Sequence, residues 1–247
     1  MKSALFRGLL VSMAIHTWFV PTATARAYRL LSDDPALGTS GIVRWREPVI
    51  AYAVSRRGLP VLSESSYRAA VRRGFDVWSG ATCNIAFAEI GLTEADAAPS
   101  DGVNTIQWID GWSERGYAAE AIATTDVELR EVDGQWSIVG FDIYFQRGPS
   151  WAPDGPIDDR LRVEYVAAHE AGHALGIAHP CEELDPIVPA CRPSDTGLMY
   201  PAYALRTAEL ARDDREAVCA LYGCETVGAA CGTAACVEAP ALGCPCS

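Results

Sequence analysis

The chain has 247 residues, 49% hydrophobic and 21% charged, which fits one cored globular domain with short additions rather than a disordered chain. Its formal net charge is −12, from 20 basic and 32 acidic residues, and its single lysine is Lys2. A phosphate backbone calls for a basic face, so nucleic acid is not an expected partner.

Residues 1–27 read as an export signal. Lys2 and Arg7 give a positive start, Leu9 to Val20 is apolar apart from Ser12, His16 and Thr17, and Ala23-Thr24-Ala25 and Ala25-Arg26-Ala27 both offer small-x-small cleavage sites. The run is too short to span a bilayer; the competing reading is an N-terminal anchor or a buried helix. Removing 25 residues takes away Lys2 and Arg7 and no acid, leaving 18 basic against 32 acidic residues, a balance of −14. No later stretch approaches 18 uninterrupted apolar residues, so a secreted protein without membrane contact is expected, and a monomer.

Pro48 to Ser55, with Val49, Ile50, Tyr52 and Val54, predicts a strand ended by Arg56-Arg57-Gly58. Ser66 to Ser79 predicts a helix: Tyr67, Ala70, Val71, Phe75 and Trp78 recur at three- and four-residue steps, with Ser65 or Ser66 as the cap. Asn84 to Ile90 and Asn104 to Ile109 predict short strands. Ala121 to Leu129 alternates loosely and Phe141 to Phe145 well, with Asp133-Gly134 as a turn between them. A loop over Gly148 to Pro156 leads to a helix from about Asp158 to Leu175, which Gly176 can end in a left-handed conformation. A last helix is expected from about Ala208 to Tyr222. Four or five strands around one early helix, then two later helices, is an α+β order. The expected units are the signal at 1–27, one domain over 28–224, and a Cys-rich tail at 225–247 with too little apolar bulk for its own core.

Nine cysteines in an exported chain point to disulfides. Six fall between Cys219 and Cys246, and the odd total leaves one free, paired with another molecule or bound to some other group.

The chemistry is concentrated in His169-Glu170-Ala171-Gly172-His173-Ala174-Leu175-Gly176-Ile177-Ala178-His179. Residues four apart on a helix share a face, so His169 and His173 can bind one ion together. Gly176 lets the chain turn back, so that His179 completes a tripod with a coordination position left for water. Glu170 sits beside the first ligand, placed to act as general base on zinc-bound water, whose pKa the ion lowers from near 16 to about 7. The bland alternative is helix-face histidines satisfied by hydrogen bonds. Against it, the four histidines of the chain are His16, in the signal, and these three.

His-Glu-x-x-His extended by Gly-x-x-His is the metzincin signature, and Gly197-Leu198-Met199-Tyr200-Pro201 resembles that group's Met-turn. Leu-Met-Tyr-Pro followed by Ala202-Tyr203 resembles the matrixins, as do Phe75-Asp76-Val77-Trp78-Ser79 with Thr82 and Phe87, and Asp213-Asp214 with Leu221-Tyr222-Gly223. The resemblance covers roughly residues 42 to 224. It implies a zincin-like catalytic domain: a twisted, mostly parallel sheet of about five strands with an antiparallel edge strand, plus three helices.

The resemblance also implies a zinc metalloendopeptidase acting on extended protein or peptide substrates, with one catalytic zinc. Met199 would pack beneath the metal, Pro201 and Tyr203 would wall the pocket for the substrate side chain after the cut, and Ala121 to Leu129 would be the edge along which a peptide adds as a strand. Asp213 and Asp214 match the acidic pair that supports the Met-turn and can receive an N-terminal ammonium. Calcium is common in the family, and Asp142, Asp154, Asp158 or Asp159 could give it oxygens.

The departures are informative too. Pro180 is more like serralysins, but Pro201 stands where those use a tyrosine ligand, so none is expected. No histidines remain for a second, structural zinc, and no Cys precedes Cys83 to act as a cysteine switch. Cys181 and Cys191 bracket the loop after the third histidine and are a candidate pair. Two other readings compete: a zinc hydrolase of non-protein amides, which should lack the Met-turn and edge strand, and a non-catalytic binding module, against which the intact Glu170 argues.

Overall fold

The computed structural model describes residues 28–38, 41–58, 63–82, 84–153, 160–181, 190–191, 197–203 and 208–223. The expected signal at 1–27 and tail at 225–247 lie outside them. In chain order the elements are β1 (Arg29–Leu30), β2 (Val49–Ser55), α1 (Glu64–Ser79), β3 (Ala86–Thr93), β4 (Thr105–Ile109), β5 (Ala123–Val132), β6 (Gln135–Gln146), β7 (Trp151–Ala152), β8 (Leu161–Arg162), α2 (Val163–Ala174), β9 (Ile177–Ala178) and α3 (Arg212–Tyr222). Five strands form one sheet in the order β3-β2-β4-β6-β5, parallel throughout except for β5, which is antiparallel at one edge. This is the α+β architecture that the sequence led us to expect.

The three- and four-residue spacing in α1 buries Tyr67, Ala70, Val71, Phe75 and Trp78. These side chains meet aromatic residues of the sheet: Phe75 lies 4.6 Å from Tyr52, Tyr67 lies 5.0 Å from Trp108, and Trp108 stacks on Phe145 at 4.3 Å. Such pairs add specific geometry to the burial of large apolar area. The cap of α1 is Ser63 rather than Ser65 or Ser66; its hydroxyl accepts the Ser66 N–H at 3.3 Å, which starts the helix at Glu64.

The β5–β6 hairpin turns at Asp133 and Gly134, with φ of 53° and 76°, the backbone that a two-residue primed turn requires. Both strands are longer than the alternation predicted. Glu128 pairs with Gly140 and Leu129 with Ile138, so Val139 is the extra residue of a bulge. Ile138 and Phe141, three apart, are both buried as a result, and the period of two is broken there.

The helix expected from about Asp158 starts at Val163, because Leu161 and Arg162 pair with Trp151 and Ala152 in extended conformation. The helix expected from Ala208 starts at Arg212, where the Asp214 carboxylate takes the Ala211 N–H at 2.8 Å. Almost every side of α2 is covered: Val163, Tyr165, Val166, Ala167, Ala168, Glu170, Ala171, Gly172 and Ala174 are all buried. Trp78 of α1 donates its indole N–H to Ala168 O at 2.7 Å. The carbonyls that end α2 find side-chain donors, Trp45 Nε1 to Ala174 O at 2.8 Å and Tyr222 Oη to Leu175 O at 2.7 Å, which satisfies groups that a helix end leaves orphaned.

Candidate metal centre

α2 carries His169, Glu170 and His173 on adjoining positions of one turn. At Gly176 the backbone takes φ of +96°, a region open to glycine and costly for other residues. The chain reverses there into β9, which pairs with β1, and brings His179 back over the helix. The three Nε2 atoms stand 3.0 Å apart for His169 and His179, and 3.1 Å apart for His173 with each of the others.

The outer nitrogens decide what that triangle can hold. His169 Nδ1 lies 2.8 Å from Leu198 O and His173 Nδ1 lies 2.8 Å from Ile177 O. A carbonyl only accepts, so both Nδ1 atoms carry hydrogen, and in the neutral ring each Nε2 then presents a lone pair. Two lone pairs facing each other at 3.1 Å repel unless a cation lies between them. Burial, and then the neighbouring His169 and His179, push His173 well below the usual imidazole range, so its ring stays in the neutral, ligating form. Tetrahedral zinc with Zn–N of about 2.0–2.1 Å separates its nitrogens by about 3.3–3.4 Å, within a few tenths of an ångström of the observed triangle. The residues therefore fit a zinc ion, with one coordination position not supplied by histidine.

Glu170 is 5% exposed. Burial pushes its carboxyl up to about 7, while a hydrogen bond from Thr125 pulls it down. The Thr125 hydroxyl is 2.7 Å from Glu170 Oε2 and 3.1 Å from the Glu170 main-chain oxygen. The two residues come from different elements, β5 and α2. The alternation of β5 places Thr125 two residues from buried Ala123, but nothing local to the sequence tells which residue it meets.

Met199 is buried beneath α2, opposite Gly172. A Cβ at Gly172 would overlap Met199 Sδ and lie 2.7 Å from Trp78 Cζ2, so this position of the motif has to be glycine for the turn to approach the helix. The turn is held by Asp214, 2% exposed, whose carboxylate accepts Leu198 N–H at 2.7 Å and Met199 N–H at 3.2 Å. Of the acidic pair it is Asp214 that makes these bonds. Asp213 stands beside Gly197, and burial together with the Asp214 charge raises its carboxyl.

A cleft of about 570 Å³ opens over the histidines and Glu170 and is lined also by Thr125, Tyr165, Pro201 and Tyr203. The Tyr203 hydroxyl accepts Arg162 N–H at 2.9 Å, and its ring meets Tyr165 edge-on at 5.3 Å. The backbone of β5 forms the other wall. Ile122 O accepts Gln146 N–H at 2.9 Å; by the alternation of an antiparallel ladder, Ala123 and Thr125 then turn their N–H and C=O away from β6, toward the open edge. Cys181, just past the third histidine, is disulfide-bonded to Cys191.

Of the carboxylates considered for calcium, Asp142 is buried in the sheet with Oδ1 accepting Thr105 N–H at 3.0 Å. Asp154, Asp158 and Asp159 lie outside the described residues. Among the described residues, the three histidines are the one group of three or more His, Cys, Asp or Glu side chains that converges at ligand distance.

Residues 44–223 match the family described as matrixin. The chain is 30% identical over 201 residues to neutrophil collagenase of Homo sapiens, covering 75% of this chain and 34% of that protein. It is 27% identical over 191 residues to matrix metalloproteinase-16 of Rattus norvegicus, covering 73% and 27%. It is 26% identical over 200 residues to metalloendoproteinase 1-MMP of Arabidopsis thaliana, covering 74% and 46%. The chain thus spans between about a quarter and a half of the length of these relatives.

Proposed function

This chain belongs to the matrixin family, and from that premise we propose that it is a secreted zinc metalloendopeptidase that hydrolyses peptide bonds in extended polypeptides. The observation that carries the reading is the triangle of Nε2 atoms 3.0–3.1 Å apart, two of them held in the ligating tautomer by carbonyls, beside a buried carboxylate. His169, His173 and His179 would hold the ion. Zinc there supplies Lewis acidity, activating water as a nucleophile near neutral pH and polarising the scissile carbonyl.

The remaining steps belong to the chain's own residues. The N–H and C=O groups of Ala123 and Thr125 that turn away from β6 would take an extended peptide as an added strand, and Pro201 and Tyr203 would receive the side chain after the cut. Glu170 would accept a proton from the attacking water and pass it to the leaving amine. The apolar run with its cleavage sites at residues 1–27 supports export, and among the described residues no helix is long and apolar enough to cross a membrane.

Casein cleavage by the purified protein tests this. Activity should disappear on chelation and return with zinc; a protein that binds one zinc and cuts neither casein nor gelatin would contradict it.

A further inference from the structure

Among the described residues, Thr125 is the one side chain that hydrogen-bonds the Glu170 carboxylate. It reaches across from the edge strand, so the contact joins the strand on which a peptide would pair to the residue that would move the proton. The same hydroxyl lies 3.1 Å from Glu170 O, but it has one hydrogen, which the shorter contact to Oε2 takes. A glutamate side chain has three torsions and no preference of its own for the orientation needed here. A β-branched threonine, in contrast, is stiff at χ1 and holds its hydroxyl in one place.

We infer that Thr125 is a positioning residue for the general base: its hydroxyl pins Oε2 of Glu170 and leaves Oε1 as the oxygen that takes and returns the proton. Ala123 and Thr125 also turn their main-chain groups to the open edge. A peptide seated against Thr125 is therefore indexed to the same residue that orients the base. This rests on the peptidase reading of the site.

The test compares wild type, Thr125→Val and Thr125→Ser on one peptide substrate, each with zinc content and melting temperature measured. Valine keeps the shape and loses the hydroxyl, whereas serine keeps the hydroxyl. A hydrogen bond to a charged group corresponds to roughly 10–100-fold in rate when lost. Thr125→Val should lower kcat by that factor with KM little changed, one zinc still bound and melting within a few degrees; Thr125→Ser should recover most of kcat. An active wild type with an equally active Thr125→Val overturns this inference alone. So does a loss that tracks zinc content or melting, or that serine does not recover. An inert, zinc-loaded wild type removes the peptidase reading and this inference with it.

Discussion

Gly172→Ala puts a methyl where α2 and the Met199 turn press together. The added Cβ would overlap Met199 Sδ, lie 2.7 Å from Trp78 Cζ2 and lie 3.1 Å from Met199 Cε. Met199 is 2% and Trp78 0% exposed, and the Trp78 indole is tied to Ala168 O at 2.7 Å, so neither neighbour has open space to move into. Overpacking costs about 1–3 kcal/mol and this case belongs at the upper end, while Ala in place of Gly in a helix interior returns about 1 kcal/mol. The net loss is about 2 kcal/mol, or roughly 4–8 °C in melting temperature for a domain of this size. Thermal and urea unfolding of the zinc-loaded protein measure it. In a Met199→Ala background the same glycine change should cost less, because the sulfur it strikes is gone. A Gly172→Ala protein as stable as wild type would refute the reasoning.

Asp142 gives a pH signature. Burial, then the carboxylates of Asp101, Asp126 and Glu128, raise it to about 6 against the Thr105 N–H that lowers it. A carboxyl raised on folding contributes stability below its unfolded value near 4 that is lost as pH rises through about 6. Asp142→Asn should flatten that window and, with allowance for solvent screening, be more stable by about 1–2 kcal/mol at pH 7; parallel pH–stability curves for variant and wild type would contradict this. Cys181 and Cys191 close a loop with a sequence separation of 10. Replacing both by Ser should cost about 2–3 kcal/mol in denaturant unfolding, and an unchanged midpoint would count against the staple.

Much of the site was legible because its chemistry is local. His169, Glu170 and His173 fall on one helical turn, and Gly176 is where the chain has to reverse to bring in His179. The parts that were not legible depend on partners distant in sequence. Leu161 and Arg162 leave the helical pattern because Trp151 and Ala152 pair with them. The alternation of β6 fails at Val139 because the bulge is defined by its register against β5. Buried on almost every side, α2 carries no amphipathic stripe to mark its start. Gly172 reads as an arbitrary position of the motif until Met199 and Trp78 are seen against it. Thr125 is an ordinary strand residue until β5 is laid beside α2.

The central claim is that Glu170 moves the proton at a zinc held by three histidines. Its most direct test is the cleavage rate of Glu170→Ala beside wild type, both loaded with one zinc per chain. Loss of a general base costs about 10²–10⁴-fold, so the variant should keep its zinc and lose at least about a hundredfold in kcat. Equal rates, or two zinc-loaded proteins that are both inert, would contradict it.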